Sequence, residues 1–232
     1  MNRSVDVATS LFASGARLGM GVRVGRLGAR PDKLLELYDI EACPFCRKVR
    51  EALSILDLEA MIYPCPRLGK RFRPVVEQRG GKQQFPWFVD PNFGVSMYES
   101  DAIVEHLFRA YGDGDVSVLL RLGPLTTASA IGASVWRVGL GHYVRPSKAP
   151  AKPLELWSFE ASPFCRIVRE ELCVLEIPYR LHNVAKGSPS RQAFFARSGR
   201  MMVPFLHDPN TGVDMFESAD IVDYLRRTYA TR

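Results

Sequence analysis

The sequence predicts an α/β protein built from two copies of one unit, each ordered strand, helix, strand, helix, strand, strand, helix (βαβαββα), with a helical segment in front. Three observations predict it. Residues 33–57 agree with 152–176 at 15 of 25 positions (offset 162 − 43 = 119), and residues 86–112 agree with 204–230 at 14 of 27 (offset 204 − 86 = 118). Each copy opens on an apolar run that meets a helical pattern at Cys43-Pro44-Phe45-Cys46 or Ser162-Pro163-Phe164-Cys165. Each copy later carries an Asp-Pro-Asn-x-Gly turn between short apolar runs. A period of that size is too long for a solenoid repeat. The chain therefore divides into a glycine-rich helical segment (1–32), a first domain (33–112), a helical connector (113–151) and a second domain (152–232).

The elements follow in order. Leu34 to Ile40 reads as a buried strand, and Val49, Leu53 and Leu56 recur at helical spacing behind it. Pro44 and Pro163 suit a first helical position, where the fixed φ fits and no amide donor is wasted. Short strands follow at Ala60 to Tyr63 and Tyr179 to His182, then loops rich in Pro, Gly and basic residues, then second helices around Val75 to Arg79 and Gln192 to Arg197. The slip in offset from 119 to 118 places a one-residue deletion near Ala185. Phe85-Pro86-Trp87-Phe88-Val89 and Val203-Pro204-Phe205-Leu206 read as strands whose proline sits near the start, where a lost ladder bond is tolerated. Hairpins then turn at Asp90 to Gly94 and Asp208 to Gly212 into Val95 to Tyr98 and Val213 to Phe216. Glu-Ser opens each last helix, with Ile103, Val104 and Leu107, or Ile221, Val222 and Leu225, on one face.

Residues 1–32 have the arginines of a targeting peptide, but Arg23-Val24-Gly25 is matched by Arg137-Val138-Gly139 and Pro31 by Pro146. A cleaved leader has no reason to recur inside a chain, so the segment is read as part of each repeat. Arginines interrupt every apolar stretch short of the ~20 residues a membrane span needs, so no transmembrane helix is expected. The 232 residues are 47% hydrophobic and 24% charged, ordinary for a globular protein. The net charge of +6 is scattered rather than striped among aromatics, which argues against a nucleic-acid platform. Five cysteines, an odd number unevenly placed, do not make a secreted disulfide framework, so a reducing, cytoplasmic setting is expected.

A cysteine just ahead of a helix faces unpaired amides and the positive end of the dipole, which favour its thiolate. Cys43 is thus a candidate nucleophile and Cys46, one turn on, its resolving partner. The second copy has Ser162 for Cys43 and keeps Cys165, so it has no dithiol of its own. A zinc site would need a second Cys or His pair at ligand spacing, and none is present, so no metal is expected. Cys65 and Cys173 read as packing residues. His106, His142, His182 and His207 have no catalytic partner at suitable spacing.

This order of motifs resembles the thioredoxin fold. It is most similar to glutaredoxins and to the amino-terminal domain of glutathione transferases, over residues 33–112 and 152–230. The resemblance implies glutathione as substrate or co-substrate. It implies cis peptides at Phe85-Pro86 and Val203-Pro204 facing the cysteinyl part of glutathione, and Glu99-Ser100 and Glu217-Ser218 at its γ-glutamyl end. Ordinary helix capping is the alternative for Ser100 and Ser218. Lys82 and Arg200 are candidates for the glycyl carboxylate, with plain surface charge as the alternative.

The helical second domain of glutathione transferases is replaced here by another copy of the first, which puts xenobiotic conjugation in doubt. The expected activity is a glutathione-dependent thiol–disulfide oxidoreductase acting on a disulfide or glutathionylated substrate, with Cys43 attacking. Alternatives are a cysteine-type glutathione transferase acting on small molecules, a non-catalytic glutathione or peptide-binding module, and a glutathione-ligated iron–sulfur cluster at Cys43. Ser162 either stabilises a bound glutathione thiolate or belongs to a degenerate copy.

Overall fold

The computed structural model describes residues 21–116, 120 and 141–231. The first repeat runs β1 (Leu35–Asp39), α1 (Pro44–Ile55), β2 (Ala60–Pro64), α2 (Arg73–Gly80), β3 (Trp87–Asp90), β4 (Val95–Met97) and α3 (Ser100–Tyr111). The second repeats it as β5 (Leu154–Ser158), α4 (Pro163–Val174), β6 (Tyr179–Asn183), α5 (Ser190–Ser198), β7 (Phe205–Asp208), β8 (Val213–Phe216) and α6 (Ser218–Tyr229). Each element expected for the two βαβαββα units is present, and both are thioredoxin-like.

The two units share one sheet, in the order β4-β3-β1-β2-β6-β5-β7-β8. β1 runs parallel to β2 and β5 parallel to β6, while β2 and β6 pair antiparallel across the junction, Met61 opposite Arg180. The repeats are therefore related by an approximate two-fold axis through that pair, and β1 and β5 point in opposite directions. One apolar core follows from the shared sheet. Leu35, Leu37, Leu53 and Phe88 of the first repeat and Leu156, Leu172, Leu206 and Leu225 of the second belong to the same buried cluster. Smaller aromatic clusters, around Trp87 and around Trp157, pack beside α2 and α5.

Buried charge joins the repeats. Arg50 Nε lies 3.1 Å from Glu160 and its Nη2 3.2 Å from Glu41, with Asp39 on Nη1. The equivalent Arg169 lies 3.1 Å from Glu41 and 2.9 Å from Glu160, and donates to the Ser158 hydroxyl where the first repeat has Asp39. Each arginine thus bridges Glu41 and Glu160, the acids that precede α1 and α4. Asp39, Glu41 and Glu160 surround Arg50 and Arg169, with Arg47 3.9 Å from Glu160, and among the described residues Asp39 pairs with Arg50. Burial, set against Arg50 and reinforced by Glu41, pushes the Asp39 carboxyl up to about 6. Glu160 goes the other way, to about 2, because Arg169 and Arg50 outweigh its burial.

The arms ahead of each repeat are exchanged. Val24 and Lys186 pair with one another's repeat, and Arg67 pairs with residues 142–144. Gly21 and Gly141 occupy equivalent left-handed turns, both at φ +78°, so the arms align at an offset of 141 − 21 = 120. This corrects the 114-residue match of Arg23-Val24-Gly25 to residues 137–139, which lie outside the described residues together with most of both segments expected to be helical. Residues 24–31 form no helix or strand. Loops are exchanged too: the Glu176 carboxylate accepts from the amides of Lys70 and Arg71, at 3.2 and 3.0 Å. The residue missing from the second repeat falls between Gly187, the counterpart of Leu68, and Gly199, the counterpart of Gly81.

Glu160→Gln should cost about 3–5 kcal/mol at neutral pH in urea unfolding, because it takes a charged partner from both buried arginines, Arg50 and Arg169. In the wild type the folded carboxyl lies below its ordinary 4.5, so this stabilisation is complete above 4.5 and declines as pH falls toward about 2. The variant's urea midpoint should show correspondingly less acid dependence over that window.

Candidate functional site

Each repeat gathers its candidate residues at one edge of the sheet. Cys43 follows the carboxyl end of β1, Pro86 precedes β3, which is antiparallel to β1, and Ser100 follows β4, which is antiparallel to β3. All three therefore lie at the same edge. Ser162, Pro204 and Ser218 are gathered likewise at the opposite edge, because β5 runs against β1. The molecule presents two sites facing apart, not one cleft between domains.

Cys43 is the N-cap of α1, in extended backbone, and Pro44 takes the first helical position. A turn closed by the Cys43 amide on the Ile40 carbonyl, at 2.9 Å, brings the chain from strand to helix. Cys43 is partly exposed, whereas Cys46 is fully buried. The Cys46 thiol donates to Cys43. That bond, with the amides of Cys46 and Phe45 and the charge of Arg50, outweighs burial and lowers the Cys43 thiol to about 7. Burial and the Cys43 sulfur push Cys46 well up. The pair is divided as a redox dithiol requires, into a reachable thiolate and a protonated thiol beneath it. All five cysteines are free thiols, and burial raises both Cys65 and Cys173.

Ser162 takes the Cys43 position, and its hydroxyl accepts from the Cys165 amide at 3.3 Å. It caps α4 and keeps its own proton to donate. Cys165 is buried like Cys46.

Phe85-Pro86 and Val203-Pro204 are cis. Glu99 and Glu217 are the N-caps of α3 and α6, at φ +64° and +66°. A non-glycine residue in this region is strained. Both repeats hold it at the same place, just before a buried serine. Ser100 and Ser218 occupy the first helical position and neither helix has a side-chain cap bond, so capping does not account for them. The first amides of a helix have no intrahelical partner and favour an anion. Gln84 donates to Glu99 Oε1 at 2.5 Å.

Lys82 and Arg200 lie over the rings of Tyr98 and Phe216, at 4.6 and 5.8 Å. The sequence reading did not single out a second repeated pair of cations, Arg73 and Arg191. Arg73 begins α2, lies 4.7 Å over the Phe85 ring and donates to the Cys65 carbonyl at 3.1 Å. Arg191 donates likewise to Val184, at 2.9 Å. The signal was an arginine repeated at the 118-residue offset (191 − 73), inside loops whose basic residues looked interchangeable. Among the described residues no group of three His, Cys, Asp or Glu is placed to hold a metal, and no helix is long and apolar enough to cross a membrane.

The family described as Glutathione S-transferase, N-terminal domain, matches residues 37–115 and again 156–232. The chain belongs to this family, twice over. Membership makes its chemistry glutathione-related and accounts for the matched edges of the sheet. No curated protein matches the chain. Among solved structures, the trimeric glutathione transferase TDR1 of Leishmania is similar at 14% identity and a TM-score of 0.31, covering 86% of this chain and 68% of that one. So distant a likeness does not define how the two family units are arranged.

Thiolate absorbance, or alkylation of Cys43 against pH, should have its midpoint near 7. Cys46→Ala removes the largest cause of that lowering, so the midpoint should move up. An unmoved midpoint would assign the lowering to the helix end alone.

Proposed function

We propose that the protein is a glutathione-dependent thiol–disulfide oxidoreductase whose reacting centre is Cys43. The observation that carries this reading is the divided pair: a partly exposed thiol lowered to about 7 at a helix amino terminus, above a buried thiol raised well up. The Cys43 thiolate attacks the glutathione sulfur of a mixed disulfide R–S–S–G. The S–S bond breaks, R–S⁻ leaves and takes a proton from water, and Cys43–S–S–G remains. A glutathione thiolate then attacks the glutathione sulfur of that intermediate, giving oxidised glutathione and the free Cys43 thiolate. Cys46 attacks in its place when the first adduct is to a protein dithiol.

In this reading Phe85 and Pro86 border the cysteinyl part of glutathione. The Ser100 hydroxyl and the first amides of α3 take the γ-glutamyl carboxylate, and Glu99 its ammonium. Arg73, beside the Phe85 ring, takes the glycyl carboxylate, with Lys82 as the alternative. The second repeat has the same surroundings in Val203, Pro204, Glu217 and Ser218, with Arg191 for Arg73. Its Ser162 hydroxyl, free to donate, hydrogen-bonds the thiolate of a bound glutathione without a disulfide step.

Cys43→Ser should abolish glutathione-linked reduction of a small mixed disulfide, while Ser162→Ala leaves it within about twofold. Retained turnover in Cys43→Ser would refute the assignment of the nucleophile.

A further inference from the structure

The two repeats differ most sharply in the loop that follows the second strand. A left-handed residue is needed there in both copies, and the second supplies Gly187 at φ +86°. The first supplies Leu68 at φ +66°, with its side chain 68% exposed. A leucine in that conformation strains the backbone, and one so exposed returns little by burial. The twin position meets the same backbone requirement with glycine.

The loop is also held rigid. The Arg67 amide donates to His142 at 2.6 Å and its carbonyl accepts from Val144 at 3.1 Å. Gly69 has no room for a side chain, a Cβ there lying 2.5 Å from Glu176 and 2.9 Å from the Pro66 carbonyl. Arg67 lies 5.8 Å over the ring of Tyr143, which is itself half-exposed. At the opposite pole Arg23 stands where Tyr143 does. From residue 64 to 74 the loop carries Arg67, Lys70, Arg71 and Arg73 and no acid, against Lys186 and Arg191 in the twin. Arg67 and Lys70 are exposed. Because β2 is parallel to β1, this loop leaves the sheet at the edge that holds Cys43. Leu68, Tyr143 and the Cys43 thiol are thus on one edge with Arg67 and Lys70, whereas among the described residues the equivalent positions of the opposite edge are Gly187, Arg23 and Ser162, with Lys186 for Arg67.

We propose that Leu68 and Tyr143, flanked by Arg67 and Lys70, form a docking ledge for the polypeptide part of the disulfide substrate. The partner is a glutathionylated protein segment presenting an apolar side chain beside acidic residues near its modified cysteine. The inference rests on the oxidoreductase reading of Cys43 and names its substrate class. The acids meet Arg67 and Lys70, and the apolar side chain covers Leu68, which offsets the exposure and the strain together.

The test compares three substrates: a glutathionylated peptide with leucine and two glutamates around its cysteine, the same peptide with lysines for the glutamates, and the mixed disulfide of glutathione with mercaptoethanol. Wild type should prefer the acidic peptide, and added salt should shrink that preference. Leu68→Gly, the residue of the twin loop, should leave the thermal midpoint unchanged or raised and the small disulfide unaffected. It should raise KM for the acidic peptide about tenfold with kcat unchanged. Lys70→Gln should narrow the gap between the two peptides. Equal turnover of the acidic peptide by wild type and Leu68→Gly overturns the ledge, as does a parallel loss on the small disulfide. Sedimentation of wild type with anionic vesicles that Leu68→Gly abolishes, with no peptide preference, assigns the surface to lipid and also overturns it. Reduction of the small disulfide without preference for the acidic peptide removes the ledge alone, whereas inactivity on all three removes the oxidoreductase reading with it.

Discussion

The antiparallel pairing of β2 with β6 is the constraint on which the rest of the molecule depends. It turns two small units into one sheet of eight strands with one apolar core. It also brings Arg50, Arg169, Asp39, Glu41 and Glu160 into the junction, where all five are buried. A buried charge persists only when paired, and here each arginine is satisfied by acids of both repeats. Neither repeat closes this cluster alone. The exchanged arms and the Glu176 contact with the Lys70 and Arg71 amides extend the same dependence to the loops.

The pairing also sets the function's geometry. Because β1 and β5 are antiparallel, the two sets of candidate residues lie at opposite edges of the sheet. The repeats differ there: one has Cys43, Asp39, Leu68 and Tyr143, while the other has Ser162, Ser158, Gly187 and Arg23. These differences cluster at the edges and in the junction, where chemistry varies at small cost to the shared core. Arg50 links the two regions, since it pairs with Glu160 of the second repeat and its charge helps lower Cys43.

Much of the fold was legible in the sequence, because repetition turned weak local signals into paired ones. Pro44 and Pro163, the two Asp-Pro-Asn turns and the doubled Glu-Ser each specify local backbone, and local backbone can be read from local residues. The candidate site was legible to the same degree at Cys43, Cys46, Phe85, Pro86, Ser100 and their counterparts. What escaped depends on contacts between residues far apart in the chain. Nothing near Glu41 or Glu160 announces that their partners are Arg169 and Arg50. Lys82 and Arg73 are equally basic in sequence, and only folding sends one to Tyr98 and the other to Phe85. The arms misaligned because glycine and arginine recur there too often to fix a register.

The central claim is that two family sites persist on one scaffold and that only one of them reacts. Calorimetric titration of reduced glutathione into wild type, Ser100→Ala and Ser218→Ala tests it most directly. The account predicts two sites in the wild type, each serine variant losing one of them and leaving the other's affinity within about twofold. A single site, lost with Ser100→Ala and indifferent to Ser218→Ala, would contradict it and leave the second repeat as scaffold alone.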